Sequence, residues 1–317
     1  MQFTTTVPIS TSGHPINYES RILSLGSCFA VNIADKLDYF KFRNFCNPFG
    51  ILFHPLTIHE MIRRSILKDV FTDADVVKNE ELWHCLDAHS DLSHPDKAAL
   101  LENLNTALVT THESLQSATH IILTYGTAWV YHHRESDKIV ANCHKVPQSQ
   151  FEKKLLDIAI IESAIKQTIT AIAAVNPDCK IIFTISPVRH IKDGFVENQR
   201  SKAHLIAALQ QVLSATSTVQ ASYFPSYEIM MDELRDYRFY ASDMLHPNQT
   251  AVDYIWERFS QTHITATSVA QMLEIDSIQK GLQHKPFHTD SQSHRQFREK
   301  LNDKIQKLRV QFPHISF

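Results

Sequence analysis

Five short runs of apolar residues recur along the chain, separated by longer stretches with helical spacing. The runs are SRILSL (20–25), KFRNFC (41–46), THIILTY (119–125), CKIIFTI (179–185) and TVQASYF (218–224). Most are apolar at nearly every position, which is typical of strands buried on both faces of a parallel sheet. The pattern therefore predicts a five-stranded parallel sheet.

Helical periodicity fills most of the segments between these predicted strands. It covers residues 28–38, 155–175, 201–213 and 247–259. Strands that alternate with helices indicate right-handed crossovers and an open, three-layer α/β fold.

Two segments fall outside this alternation. The long gap at 47–118 is helical at both ends, so we predict a helical insertion at about 55–117 that forms a lid or a wall of a site. No strand is expected after residue 260, and residues 294–312 form a basic amphipathic helix. These features predict a main domain at 1–265 and a C-terminal helical appendage at 266–317, with a linker at 290–294. The last helix docks either on its own core or on another subunit.

Composition excludes several classes of function. The 317-residue chain has a net charge of -3 and only six glycines, without GxGxxG or GxxxxGK, so no nucleic-acid partner, membrane partner or phosphate loop is expected. Its five scattered cysteines form no CxxC pair, which argues against disulfides and zinc. The N-terminus lacks a secretory pattern. We expect a cytoplasmic protein without metal or cofactor, of unknown oligomeric state.

Polar residues follow each predicted strand at the point where it ends. Ligands of open parallel sheets bind at the carboxyl ends of the strands, so these residues are the candidates for a site. In chain order they are Gly26-Ser27-Cys28, Asn47 to Gly50, Gly126 to Trp129, Ser186 to His190, and Asp243 to Pro247.

Three of these residues have the chemistry of a serine hydrolase. Ser27 lies at a strand-to-helix turn, where free N–H groups can stabilise an oxyanion next to the hydroxyl. Asp243 and His246 are three residues apart in a loop before a helix, so the carboxylate can hold one imidazole nitrogen. The other nitrogen would then act as the base for Ser27.

Each residue alone also has a simpler interpretation. Ser27 could be an ordinary helix cap, and His246 with Pro247 could simply begin a helix. Cys28 is a better intrinsic nucleophile, but the turn directs it elsewhere, and we expect it to pack as a small apolar group. The joint occurrence of Ser27 with Asp243 and His246 favours the catalytic interpretation.

Several sequence blocks carry a family resemblance. They are GSCFA (26–30), NPFGILFHP (47–55), LTYGTAWVY (123–131), ANCHKVP (141–147), TISPVRH (184–190), ENQRSK (197–202) and the stretch 223–247. Over about residues 20–260 the chain resembles the GSCFA family of the SGNH (GDSL-like) hydrolase superfamily. The resemblance implies a flavodoxin-like sheet of order 2-1-3-4-5.

The resemblance also implies roles for single residues. The superfamily's nucleophile falls on Ser27, its base on His246 and its orienting acid on Asp243. The glycine that donates to the oxyanion falls on Gly50, with Asn47 as the alternative. The asparagine of the superfamily's Gly-x-Asn-Asp block is missing here, because Ala128 stands in its place. Asn142, just beyond the same strand, is the predicted replacement donor.

The remaining candidates would bind substrate. Arg189 and His190 would contact a carboxylate, acyl or sugar group, or else form a structural ion pair with Asp193 or Glu197. The others are His89 from the insertion, Gly126, Trp129 and His144.

These observations predict an SGNH-type serine esterase. The expected substrate is a short-chain ester, such as an acetyl group on a carbohydrate or small molecule; the preference for acetyl follows from the superfamily alone. Two alternatives remain open at this stage. An O-acyltransferase would use the same triad with an alcohol in place of water, and a non-catalytic binding module would fit the missing asparagine.

Overall fold

The computed structural model describes residues 5–215, 221–287 and 291–317. Within these ranges the chain forms ten strands: β1 (Arg21–Gly26), β2 (Arg43–Cys46), β3 (Val76–Asn79), β4 (Leu82–Cys85), β5 (His120–Tyr125), β6 (Trp129–His133), β7 (Lys138–Val140), β8 (Phe151–Leu155), β9 (Lys180–Ile185) and β10 (Ala221–Phe224). The last predicted strand began at 218, and residues 218–220 lie outside the described ranges.

Eight helices of twelve or more residues accompany the strands. They are α1 (Cys28–Tyr39), α2 (Pro55–Leu67), α3 (Lys97–Ser117), α4 (Ile158–Val175), α5 (Phe195–Ala215), α6 (Gln249–His263), α7 (Ala266–Gln283) and α8 (Gln292–Gln311). The predicted linker at 290–294 is wrong from residue 292 onward, because α8 begins there; residue 290 lies outside the described ranges.

The main sheet has five parallel strands in the order β10-β9-β5-β1-β2. Numbered along the chain within this sheet, the order is 2-1-3-4-5, which confirms the predicted topology. Neighbouring strands are in direct register; for example, Leu23 pairs with Ile121, and Ile121 pairs with Ile181. All five strands therefore end at one edge.

Alternate residues of the sheet point to two separate cores. Leu23, Ile121 and Ile181 face a core shared with α2, α3, α4 and α5. Ile22, Ile122 and Ile182 face a core shared with α1, α6, α7 and α8. Side chains along a strand alternate between faces, so a strand that is apolar throughout fills both layers. The result is the predicted three-layer α/β architecture.

Two small antiparallel sheets were not predicted. β3 and β4 form a hairpin inside the insertion, and β7-β6-β8 form a three-stranded sheet between β5 and α4. These strands bury few residues; β6 buries only Val130 and His133, and β8 only Phe151. Without an apolar run, the sequence pattern carried no strand signal for them.

The C-terminal helices pack on the second core of the same chain. Ile275 and Ile278 from α7 and Leu301 and Ile305 from α8 are buried there. Helix α8 therefore docks on its own core, which is one of the two arrangements that the sequence left open. The division at 265/266 remains a prediction.

Helix α4 (Ile158–Val175) is, by length and composition alone, apolar enough to cross a membrane. Its inward face, which includes Ile161, Ile165 and Ile169, is buried in the first core.

Candidate active site

Ser27 lies in a tight turn between β1 and α1. The preceding Gly26 has a φ of 142°, and its N–H donates to Asn47 Oδ1 at 2.8 Å. A Cβ atom at this position would lie 2.1 Å from the carbonyl oxygen of Thr124. Only glycine fits this turn, which places Ser27 at the carboxyl edge of the sheet.

The Ser27 side chain does not act as a helix cap. A capping serine accepts a hydrogen bond from an N–H in the first helical turn. Ser27 occupies the N-cap position of α1 but makes no such bond, and its buried Oγ has no partner among the described residues. The simpler interpretation of this serine is therefore wrong.

Ser27, Phe53 and His190 all lie close to Gly126. A methyl group built on Gly126 would lie 3.1 Å from Ser27 Cβ, 3.2 Å from Phe53 Cδ1 and 3.3 Å from His190 Nε2. Ser27 itself has no exposed surface.

Asp243 and His246 form a bonded pair in the loop before α6. Asp243 Oδ2 accepts from His246 Nδ1 at 2.6 Å, and Oδ1 accepts the N–H groups of Leu245 and His246 at 2.8 and 3.0 Å. These bonds lower the pKa of Asp243 to about 2, so the carboxylate is ionised at any ordinary pH. Both side chains are about half exposed.

Arg189 braces this loop from the end of β9. Its Nη2 donates to the Met244 carbonyl at 2.7 Å, and its guanidinium lies 4.0 Å from the Tyr240 ring centroid. The alternative of an ion pair with Asp193 or Glu197 is wrong, because these carboxylates pair with Lys153 and Arg200. Arg189 thus positions the Asp243–His246 loop.

His190 is a partly buried residue, and its Nε2 lies 3.3 Å from the position of a Cβ built on Gly126. Its pKa falls to about 3, chiefly because of burial, with further lowering by the charges of Lys202 and His246. His190 is therefore neutral. Its Nε2 has no partner among the described residues. The predicted ion pair with an acidic residue is excluded for this side chain too, since it carries no charge.

Lys202 is fully buried beneath the site. Its Nζ donates to the carbonyl oxygens of Gly126 and Ser186 at 2.6 and 2.7 Å, which joins the ends of β5 and β9. No role was assigned to this lysine from the sequence. Its position on the buried face of α5, with Leu205 and Leu209, was the available signal.

Lys202 is expected to make stability depend on pH. Burial lowers its pKa from 10.5 to about 7, whereas the unfolded chain keeps an ordinary lysine. Between these values the unfolded state binds a proton that the folded state lacks, so stability rises with pH. Between pH 7 and 9, the free energy of unfolding measured with urea should rise by about 1 kcal/mol per pH unit more in the native protein than in Lys202→Met. Parallel pH profiles of the two proteins would contradict this.

The predicted backbone donors of an oxyanion hole are already engaged. The Ser27 N–H donates to the Thr124 carbonyl at 3.0 Å, and the Gly50 N–H donates to the Asn47 carbonyl at 2.7 Å. The Asn47 side chain differs, because its Oδ1 holds the Gly26 N–H while its buried Nδ2 has no partner in the described structure. Of the predicted donors at this edge, Asn47 has the available N–H.

Asn142 and His144 lie next to each other at a cavity. Both line a cavity of about 780 Å³ beside the β3–β4 hairpin. Asn142 Oδ1 accepts the His144 N–H at 2.9 Å, and His144 Nε2 lies 2.7 Å from the Cys85 carbonyl oxygen. Ser27 does not line this cavity. The contacts of Asn142 therefore give no support to its predicted role as the replacement donor.

The other predicted binding residues have structural contacts. His89 brings the insertion to the site edge, because its N–H donates to the Phe49 carbonyl at 2.9 Å and its Cβ occupies the space beside Gly50. Trp129 is partly exposed, and its Nε1 donates to the Glu197 carbonyl at 3.2 Å.

Cys28 packs against the second core, and burial raises the pKa of its thiol, which disfavours the reactive thiolate. In the described ranges, no group of three or more His, Cys, Asp or Glu residues could hold a metal ion.

Fold and site together define a three-layer α/β protein with a serine and an aspartate–histidine pair on one sheet edge. The chain belongs to the GSCFA family, whose model matches residues 21–259. A second model, described as the C-terminal domain of GSCFA domain proteins, matches residues 275–317. No curated protein matches the chain.

Three solved structures are similar to part of the chain. A mutant acetyl esterase with acetate ion is 11% identical, with a TM-score of 0.27, over 50% of this chain and 60% of its own. A carbohydrate esterase of family 3 from Talaromyces cellulolyticus is 10% identical, with a TM-score of 0.27, over 52% and 65%. An acetyl xylan esterase from the rumen bacterium Butyrivibrio proteoclasticus is 11% identical, with a TM-score of 0.36, over 81% and 66%. The matches thus span 60 to 66% of these structures.

Proposed function

We propose that this protein is a serine esterase that removes a short acyl group from a carbohydrate or small-molecule ester. One observation carries the proposal. A serine hydroxyl that has no hydrogen-bond partner in the described part of the chain lies at the same sheet edge as a hydrogen-bonded Asp243–His246 pair. A buried polar group normally has a hydrogen-bond partner, so a free Ser27 Oγ is expected where reactivity is the reason for its position.

The reaction proceeds in two steps. Ser27 Oγ attacks the ester carbonyl carbon while His246 Nε2 takes the hydroxyl proton. Asp243 holds Nδ1–H and stabilises the imidazolium. The imidazolium then protonates the leaving alcohol, which leaves an acyl-serine. Water attacks the acyl-serine with His246 as base, the acid leaves, and the proton returns to Ser27.

The surroundings of Ser27 support a small acyl group. Ser27 is fully buried, and the space beside Gly126 that it borders is also bordered by Phe53 and His190, each within 3.3 Å of a methyl group placed there. Large acyl chains would need a larger rearrangement than acetyl. We therefore propose acetyl as the preferred group. The Asp243–His246 pair is half exposed, which leaves its outer side available for the alcohol part of the substrate.

Hydrolysis of aryl esters of increasing chain length tests this proposal. The expected rate is highest for acetate and falls toward octanoate. Ser27→Ala should remove the activity, whereas the matched neighbouring variant Cys28→Ala should retain it. Equal activity of Ser27→Ala and the native protein, or loss of activity in Cys28→Ala alone, would overturn the proposal.

A further inference from the structure

We propose that His190 donates an Nε2–H hydrogen bond to the oxyanion, in the role that the missing asparagine would have. This makes His190 a catalytic residue that contacts the reacting carbonyl oxygen. The inference rests on the proposed esterase function and goes one step further, because it names the donor that completes the site.

A side-chain donor is of interest here because the backbone N–H groups predicted for the oxyanion hole are engaged. Ser27 and Gly50 donate to internal carbonyl oxygens. Ala128, at the position of the superfamily asparagine, is fully buried, and its N–H donates to Ser201 Oγ at 2.7 Å. A tetrahedral oxyanion requires donors directed at the place where charge develops. Asn47 Nδ2 offers one, and a second side-chain donor would complete the site.

His190 Nε2 and Ser27 both lie beside Gly126. The position of a methyl group on Gly126 is within 3.3 Å of Nε2 and 3.1 Å of Ser27 Cβ. The two groups therefore border the same narrow gap beside Gly126. A carbonyl under attack by Ser27 would enter this gap, with its oxygen next to Nε2.

The imidazole is held in place by its surroundings. The His190 N–H donates to Asn198 Oδ1 at 2.8 Å, which fixes the backbone. The ring packs edge-on against Phe53, with centroids 5.5 Å apart. A fixed donor loses little free energy to reorganisation when the oxyanion forms, which is the basis of electrostatic preorganisation.

The charge state of His190 fits donation better than proton abstraction. Its pKa of about 3 makes the ring neutral and a weak base at neutral pH. A neutral imidazole carries one N–H and can donate it to a developing oxyanion. An unpaired Nε2 inside a protein is also costly, and a substrate oxygen would satisfy it.

The test compares two substitutions of His190 with a buried control. In His190→Ala, kcat for an aryl acetate should fall about 100- to 1,000-fold, the usual effect of losing one oxyanion donor, while KM changes little. His190→Gln keeps an N–H donor, so its kcat should be at least about tenfold higher than that of His190→Ala. His263→Gln alters another buried neutral histidine, away from the site, and should leave kcat unchanged. Circular dichroism and thermal melting establish that each variant is folded.

Two outcomes would overturn this role. If folded His190→Gln is no more active than folded His190→Ala, donation is not the function of the ring. If the profile of kcat against pH has an acidic limb in the native protein but not in His190→Gln, His190 is the base instead. Failure of the esterase proposal is distinguishable, because then Ser27→Ala would itself hydrolyse the ester at the native rate.

Discussion

Replacing His246 by alanine is expected to lower kcat for a small aryl acetate by about 10⁴-fold or more. Without the imidazole, Ser27 loses the group that takes its proton, and the leaving alcohol loses its acid. The loop should keep its shape, because Arg189 holds the Met244 carbonyl and the His246 carbonyl accepts the Ala241 N–H. Steady-state kinetics with matched thermal melting measure the effect.

Rescue by a free base separates this role from a structural one. His246 is about half exposed, so added imidazole can occupy the space that the alanine leaves. We expect partial recovery of activity that depends on imidazole concentration. His284→Ala, at an exposed histidine after α7, is the matched control and should behave as the native protein. Native activity in His246→Ala would exclude His246 as the base.

Replacing Gly26 by alanine should destabilise the fold by about 3 kcal/mol or more. The new Cβ would lie 2.1 Å from the Thr124 oxygen and 2.8 Å from its carbonyl carbon, both of which are backbone atoms of β5. The residue would also be held at a φ of 142°, which L side chains rarely adopt. The free energy of unfolding in urea, or the yield of folded protein, measures the loss.

Two other glycines separate the clash from the strained backbone. Gly194 has a φ of 103° but no atom within 4 Å of an added Cβ, so alanine there should cost about 1 kcal/mol through backbone strain alone. Gly13 has neither feature, and alanine there should change stability by about 0.5 kcal/mol or less. If Gly26→Ala lowers the free energy of unfolding no more than Gly194→Ala does, the contact with Thr124 is not the reason that the turn requires glycine.

The central sheet could be predicted because its strands are buried on both faces. HIILTY and KIIFTI are apolar runs, and their helices repeat with the usual spacing, so the parallel sheet follows from the residues alone. The order of the strands came from the family resemblance. The antiparallel strands could not be found this way, because segments such as FEKKL mix exposed and buried positions without strict alternation.

The position of the candidate residues could be predicted, but their hydrogen bonding could not. Ser27, Asp243 and His246 were selected because their residue types at the strand ends suit acyl transfer, and their catalytic roles stay a prediction. The oxyanion donors depend on which N–H groups are already engaged, and that is decided by contacts between distant segments, such as Ser27 with Thr124. The bracing role of Arg189 likewise depends on the Met244 carbonyl, more than fifty residues away.

Covalent labelling of the nucleophile tests the central claim most directly. The native protein is treated with a small serine-directed organophosphonate, and the adduct is mapped by mass spectrometry. The account predicts a single adduct on Ser27, which is retained in Cys28→Ala and forms far more slowly in His246→Ala. A folded native protein that acquires no adduct on Ser27, while Ser27→Ala hydrolyses aryl acetate at the native rate, would contradict it.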